Sequence, residues 1–341
     1  MLNLRIFLPH CRDTMGQLNF PNNAYLAAVA SAFLTTLLLL PVWRVWCERV
    51  GLVDDPGHRK IHNTPTPLAG GLAVLTGLLL PLLTAVVVLK LNGSGIASED
   101  LLSYGLNKRS LQLAAIALGA IGMTALGLLD DKHELKPLMK FSGQFLIALL
   151  VAAAGVRITL FVPSPLFSYA ITILWLLTVI NAFNFMDNMN GLCAGLGAIG
   201  AGLFAVIAAL QGQYLVGMIA FLTCGSLLGF LPHNFPNARA FLGDSGSHLV
   251  GYLLAVIAIL PHFYSEKNPR PLAVLTPLLV LAVPLADLAW VVILRTSKGQ
   301  PFYVGDTNHL SHRLVRSGLN RAVAVMLIWL LAAGIGALAF L

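Results

Sequence analysis

Charge is what this 341-residue chain has least of. Asp, Glu, Lys and Arg together make up 10% of it, against about 25% in soluble domains. With 57% hydrophobic residues beside that scarcity, a water-soluble globular fold is excluded. Cysteine is scarce as well. Cys11, Cys47, Cys193 and Cys224 form no CxxC pair and lie mostly in apolar segments, so they read as small packing residues and imply neither a disulfide framework nor zinc. There is no low-complexity tract and no obvious internal repeat. The formal charge is +7, but the basic residues scatter over short loops. Membrane topology and anionic ligands account for that excess better than a nucleic-acid partner, and none is expected.

What is present is long apolar runs. Ten segments, at 24–47, 68–91, 110–129, 138–156, 167–183, 191–211, 213–232, 241–260, 271–294 and 321–341, come near the ~20 residues that cross a bilayer. They predict an all-α polytopic membrane protein of about ten transmembrane helices. Residues 1–22 read as a tail rather than a cleavable signal peptide, and residues 23–341 as one domain. With ten spans, the loops after odd-numbered spans share one side of the membrane. That side holds thirteen of the 21 Lys and Arg, so the positive-inside rule makes it cytoplasmic and both termini external.

The same side collects the unusual residues, and ionisable groups at membrane depth are expensive enough to be functional candidates by default. In GLLDDK, Asp130 and Asp131 end the third span; each raises the other's cost of ionising, which a metal would relieve and a solvated helix end would not require. In NAFNFMDNMNGLCAG, from 181 to 195, a helix would put Asn184, Asp187 and Asn190 or Gly191 on one face. In HNFPNARAFLGDSGSHLVG, from 233 to 251, Asp244 and Ser245 open the eighth span. A helix start favours a phosphate, although either residue is also an ordinary cap. GDSGS resembles a serine-hydrolase loop, yet the one nearby base is His248 on the same helix, a poor match to a nucleophile constellation.

Two further clusters are basic. DDPGHRKIHNTPTPLAGG, from 54 to 71, carries Arg59, Lys60 and His62 ahead of two glycines, suited either to phosphate or to anchoring at the membrane surface. DTNHLSHRL, from 306 to 314, holds His309, His312 and Arg313, too few ligands for zinc. Inside the ninth span, Asp287 calls for a cationic or cavity partner, and Pro277 and Pro284 call for a kink. Carboxylates, asparagines and cations converging at span ends suit a magnesium ion with a phosphorylated substrate. A transporter for an anionic solute, the rival reading, would place its charges nearer mid-span.

Five ordered motifs run from about Val53 to Leu319: the RKIH loop with its GG, GLLDD, NAFNFMD, NFPNARAFLGDSGS and HLSHRL. Together they resemble the polyprenyl-phosphate N-acetylhexosamine-1-phosphate transferase superfamily. The HLSHRL piece is similar to the N-acetylglucosamine branch more than to the muramoyl-pentapeptide branch, which remains the alternative. The resemblance implies transfer of a sugar 1-phosphate from a UDP-sugar to polyprenyl phosphate with release of UMP. It implies magnesium, with manganese as a substitute, and leaves a homodimer open.

By motif position it implies Asp130 and Asp131 as the essential carboxylates, and Asp244 with Asp187 or Asn184 at the metal. Asn190, Asn234 and Phe241 would line a uridine pocket; Lys140, Arg59, Lys60 and His62 would hold phosphates. His309, His312 and Arg313 would meet the donor pyrophosphate and sugar. The chain departs from the pattern at three positions: DNMNGL puts Asn188 for glycine and Asn190 for aspartate, and Ser311 stands for a histidine.

Overall fold

The computed structural model describes residues 21–54, 65–92, 105, 107–159, 162–261, 273–301, 303 and 306–341. Helices dominate. Their order is α1 (Asn22–Val50), α2 (Gly70–Asn92), α3 (Ser110–His133), α4 (Pro137–Ala153), α5 (Pro165–Met186), α6 (Leu192–Leu210), α7 (Tyr214–Asn234), α8 (Gly243–Ile257), α9 (Thr276–Val280), α10 (Ala282–Ser297), α11 (Leu310–Arg316) and α12 (Arg321–Ala337). Between α1 and α2, the two-residue strands β1 (Val53–Asp54) and β2 (Thr66–Pro67) pair antiparallel.

Each of the ten apolar segments contains helix, but they are not equivalent. Among the described residues, seven helices are long and apolar enough to cross a membrane, namely α1, α2, α3, α5, α6, α7 and α12, and an eighth span results if α9 and α10 count as one. The kink expected from Pro277 and Pro284 is there: the α9 and α10 segments meet at 67°. The shorter cases are α4, with 17 residues, and α8, with 15. At 1.5 Å per residue, α8 reaches about 22 Å, less than the ~30 Å of hydrocarbon. It needs no more, because neighbouring helices cover nearly all of it.

Every residue of α8 except Asp244 is buried. The helix is the axis of the bundle, packed against α3, α5, α2 and α6, while large apolar side chains such as Leu38, Leu83, Leu118, Leu146, Leu174 and Leu330 face outward. Close approach of backbones makes this possible, as expected of helices that associate without a water-driven term. A Cβ on Gly127 of α3 would run into the backbone of Asp244 and Ser245, and one on Gly251 of α8 would sit 2.6 Å from the Cα of Ile180 in α5. Polar ties finish the packing: the Tyr252 hydroxyl donates to the Ile116 carbonyl at 3.0 Å, and the Trp175 indole N–H to the Ala255 carbonyl at 3.1 Å.

Candidate active site

A cavity of about 1040 Å³ opens at one end of the bundle. It is built from the end of α3, the end of α5, the turn into α6, the segment between α7 and α8, and the start of α12. These are the ends of odd-numbered predicted spans and the starts of even-numbered ones, so the parity reading gathered residues that do meet. Asp130, Asp131, Asn184, Asp187, Asn190, Asn234, Phe241, Asp244 and His312 all line it.

The α3–α4 hairpin makes the first contact. After His133 the chain turns on Glu134, at φ +46°, and Pro137 opens α4. The Asp130 carboxylate braces this turn by accepting the Leu135 N–H at 2.8 Å. Its other oxygen lies 2.7 Å from the Lys140 ammonium, brought back by the first turn of α4. Lys140 is bidentate in the wider sense. It also sits 2.8 Å from Asp244 and donates to Asn184 Oδ1 at 3.4 Å. Asn184 in turn donates through Nδ2 to Asp244 Oδ1 at 2.6 Å and to the Ser247 hydroxyl at 3.0 Å. Four residues from four helices are thus locked into one network around Asp244.

Asp131 plays a different part from its neighbour. Its two oxygens accept the N–H groups of Asp244 at 2.7 Å and Ser245 at 3.1 Å. The cap of α8 therefore comes from α3, and neither Asp244 nor Ser245 caps its own helix. This corrects the expectation that the start of α8 holds a phosphate: the Asp131 carboxylate already occupies the first amides, and an anion there would face like charge. Gly243, at φ +71°, takes the left-handed turn that aims these amides, and a Cβ on it would press on Asp131 at 2.8 Å.

The helix expected to carry Asn184, Asp187 and Asn190 on one face stops early. The last helical residue of α5 is Met186, Asp187 follows as its cap, and Gly191 turns at φ +76° before α6. Residues 188–190 form a turn, because an Asn-rich stretch ending in glycine competes with helix. Burial raises the Asp187 carboxyl well above its usual range, and the Asp244 and Asp131 charges add to this.

The remaining predicted residues divide by role. The amide of Asn234 is spent on the backbone, accepting from the Gly191 N–H at 2.5 Å and donating to the Ala240 carbonyl at 2.9 Å. Asn190 donates to the Pro236 carbonyl at 3.1 Å. His309 is buried and pairs through Nδ1 with Asp287 at 2.6 Å, whose other oxygen accepts the Leu310 N–H at 2.7 Å. Asp287 thereby finds its partner, while Arg295 pairs with Asp306 at 2.9 Å. Arg313 stacks over Trp290 at 5.1 Å, and neither it nor His309 is among the cavity's lining residues. Arg59, Lys60 and His62 lie outside the described residues.

Two of the three departing positions touch: Ser311 donates to Asn188 Oδ1 at 2.6 Å, and Asn188 donates to the Phe185 carbonyl at 2.7 Å. Sequence reasoning passed over Glu134, Asn320 and Arg321, which also line the cavity. Arg321 and Glu134 stood at span ends beside named motifs, and that position was the available signal. Ser245 is wholly buried, as is His248, so the hydrolase reading finds no accessible nucleophile.

Asp54, Asp130, Asp131, Glu134, Asp187 and Asp244 line the cavity against the single arginine Arg321 and the imidazole of His312 among the described lining residues, with Lys140 behind. Such an excess of carboxylate accepts a phosphorylated ligand only with added cations, and hard oxygen donors fit a divalent ion. An acidic cavity at one end of a helical bundle with a buried axis, whose outer helices are long and apolar, defines the class: a polytopic membrane protein.

Comparison with known proteins narrows the class. Residues 113–262 match the model of glycosyl transferase family 4. A probable undecaprenyl-phosphate N-acetylglucosaminyl 1-phosphate transferase of Bacillus subtilis (strain 168) is 32% identical over 308 residues, covering 88% of this chain and 80% of the relative. The decaprenyl-phosphate N-acetylglucosaminephosphotransferase of Mycobacterium tuberculosis (strain ATCC 25618 / H37Rv) is 32% identical, covering 89% and 79%. An undecaprenyl-phosphate alpha-N-acetylglucosaminyl 1-phosphate transferase of Escherichia coli (strain K12) is 28% identical, covering 89% and 80%. The chain belongs to glycosyl transferase family 4 and is a membrane-embedded phosphoglycosyl transferase.

Proposed function

We propose that the protein transfers N-acetylglucosamine 1-phosphate from UDP-N-acetylglucosamine to undecaprenyl phosphate, releasing UMP, as the first membrane step of a cell-envelope polysaccharide. The observation that carries this is the Lys140 network, which joins Asp130, Asp244 and Asn184 at the floor of an acidic cavity wide enough for a nucleotide-sugar head and a lipid phosphate. The cavity faces the cytoplasm of a plasma (inner) membrane protein with ten membrane segments and external termini, a placement supported by the positive-inside bias.

In the reaction a phosphate oxygen of the lipid bonds to the donor's β-phosphorus, and the bond from that phosphorus to the bridging oxygen breaks, leaving on UMP. Asp244 and Asp187 would hold magnesium, which when bound would supply neutralisation of the charge gathering on the phosphoryl oxygens. The protein's own groups do the positioning. Asn184 fixes the Asp244 carboxylate, Asp131 pins the start of α8 that carries it, and Asp130 with Lys140 sets the spacing of α3 and α4. His312 and Arg321 contact donor phosphates across the cavity, with Asn190, Asn234 and Phe241 beside the uridine. Arg59, Lys60 and His62 add phosphate contacts. Positioning of this kind provides most of the rate in phosphoryl transfer.

Purified protein incubated with radiolabelled UDP-N-acetylglucosamine, undecaprenyl phosphate and magnesium is expected to put label into the lipid extract. Parallel arms with other UDP-N-acetylhexosamines and with UDP-muramoyl-pentapeptide decide the sugar. Absence of lipid-linked label in every arm defeats the reading.

A further inference from the structure

His312 reaches the cavity from α11, a helix of only seven residues whose backbone packs chiefly on α12. Its placement against the rest of the site therefore depends on side chains. Asp287 of α10 holds the first turn through His309 and the Leu310 N–H. A second tie joins Ser311 to Asn188, and the proposed reaction gives it no part.

Ser311 is 1% exposed, and its hydroxyl donates to Asn188 Oδ1 at 2.6 Å. Asn188 Nδ2 donates to the Phe185 carbonyl at 2.7 Å, one of the carbonyls that the end of α5 leaves without a helical partner. The amide is thus engaged at both ends, although Asn188 stands in the cavity wall. Next to this link the Phe185 ring meets His309 edge-on at 5.7 Å. Asn188 follows Asp187 directly and precedes Asn190 by two residues, while Ser311 directly precedes His312. One hydrogen bond therefore joins the two chain segments that bear proposed donor contacts.

The same two residues are departures from the motif pattern. Where the pattern has glycine on the turn and histidine on the helix, this chain has asparagine and serine, so the larger side chain has changed sides. We propose that Asn188 and Ser311 are positioning residues that act as a pair: their bond sets the distance between the 187–191 turn and His312, and with it the fit of the nucleotide-sugar donor, but not of the lipid acceptor.

This deepens the proposed function and rests on it. Full-length protein in detergent is assayed by lipid labelling, with UDP-N-acetylglucosamine and undecaprenyl phosphate varied in turn. Ser311→Ala and Asn188→Gly are each expected to raise the donor KM by roughly five- to tenfold, as for loss of one buried hydrogen bond, and to change kcat and the acceptor KM by less than about twofold, the pattern of lost ground-state binding. Combining them is expected to cost no more than either alone, because there is one bond to lose. Ser311→His raises the donor KM as well, and adding Asn188→Gly returns it to within about twofold of wild type.

An unchanged donor KM in Ser311→Ala, losses that add in the combined variant, an acceptor KM that rises in step, or no recovery in the exchanged pair overturns the proposal. Should Ser311→His fail to fold, the Ser311→Ala and Asn188→Gly cycle decides. Donor binding is also read without turnover, as the UDP-N-acetylglucosamine concentration that half-protects each protein against thermal unfolding in magnesium. Equal half-protection of wild type and Ser311→Ala counts against the pair, whereas absence of lipid labelling in wild type counts against the transferase reading.

Discussion

Replacing Lys140 by Met keeps the length of the side chain and removes the cation that Asp130 and Asp244 share. In the folded protein Asp130 is 8% exposed and Lys140 19%, so water cannot take over the ammonium's place. Removing one partner from a buried ion pair costs about 3–5 kcal/mol. Because Asp244 is a third exposed, solvent answers part of its charge, and the lower figure applies. At roughly 2 °C per kcal/mol for a large chain, the melting temperature of Lys140→Met in EDTA falls by about 6 °C.

A divalent cation then replaces what was lost. At 100 times its dissociation constant it returns about 2.7 kcal/mol, and in the variant the Asp244 oxygen that Lys140 held is free to take it. Magnesium is therefore expected to raise the melting temperature of Lys140→Met more than that of wild type, measured by dye-monitored unfolding in detergent. Equal stability of the two proteins in EDTA, or equal protection of both by magnesium, would show that Lys140 does not hold the cation position between these carboxylates.

Other substitutions separate the roles of neighbours. Asp244→Ala is expected to abolish lipid labelling while Ser245→Ala retains most of it; the reverse order would restore a nucleophilic serine. Asp287→Ala leaves the Leu310 N–H and His309 Nδ1 without their carboxylate, at about 1–3 kcal/mol for each unmet group. Thermal unfolding should register the loss, and an unchanged melting temperature would show that Asp287 does not anchor α11. Outside the spans, burial opposes ionisation of Asp306, but hydrogen bonds from Arg295 and the Asn308 N–H outweigh it and draw the carboxyl from 3.8 to about 2. Its folded pKa is depressed, so its contribution is present above about pH 4 and is lost as pH falls toward 2. The stability gap between wild type and Asp306→Asn should narrow across that window; a gap that widens would contradict the pairing.

Much of the site was legible before any fold was known. Span parity put Asp130, Asp187 and Asp244 on one side because alternation of loops is a topological necessity, and Lys140 follows Asp130 across a short hairpin. Parity says nothing about azimuth around a helix. Whether Asp131 faces the cavity or caps α8 depends on how closely α3 and α8 approach, which the missing Cβ of Gly127 permits. The helical reading of residues 184–191 failed because local amide hydrogen bonding and Gly191 ended α5 sooner than its apolar run suggested.

By itself the sequence determined that this is a membrane protein, where its helices run and which family's motifs it carries, since those follow from hydropathy and from order along the chain. Only the tertiary structure decided the pairings: Lys140 with two carboxylates, Asp287 with His309, Ser311 with Asn188, and His248 beneath Asp244. Most of these join residues far apart in sequence on separate helices, and their contacts depend on packing distance and rotation, which no linear pattern records.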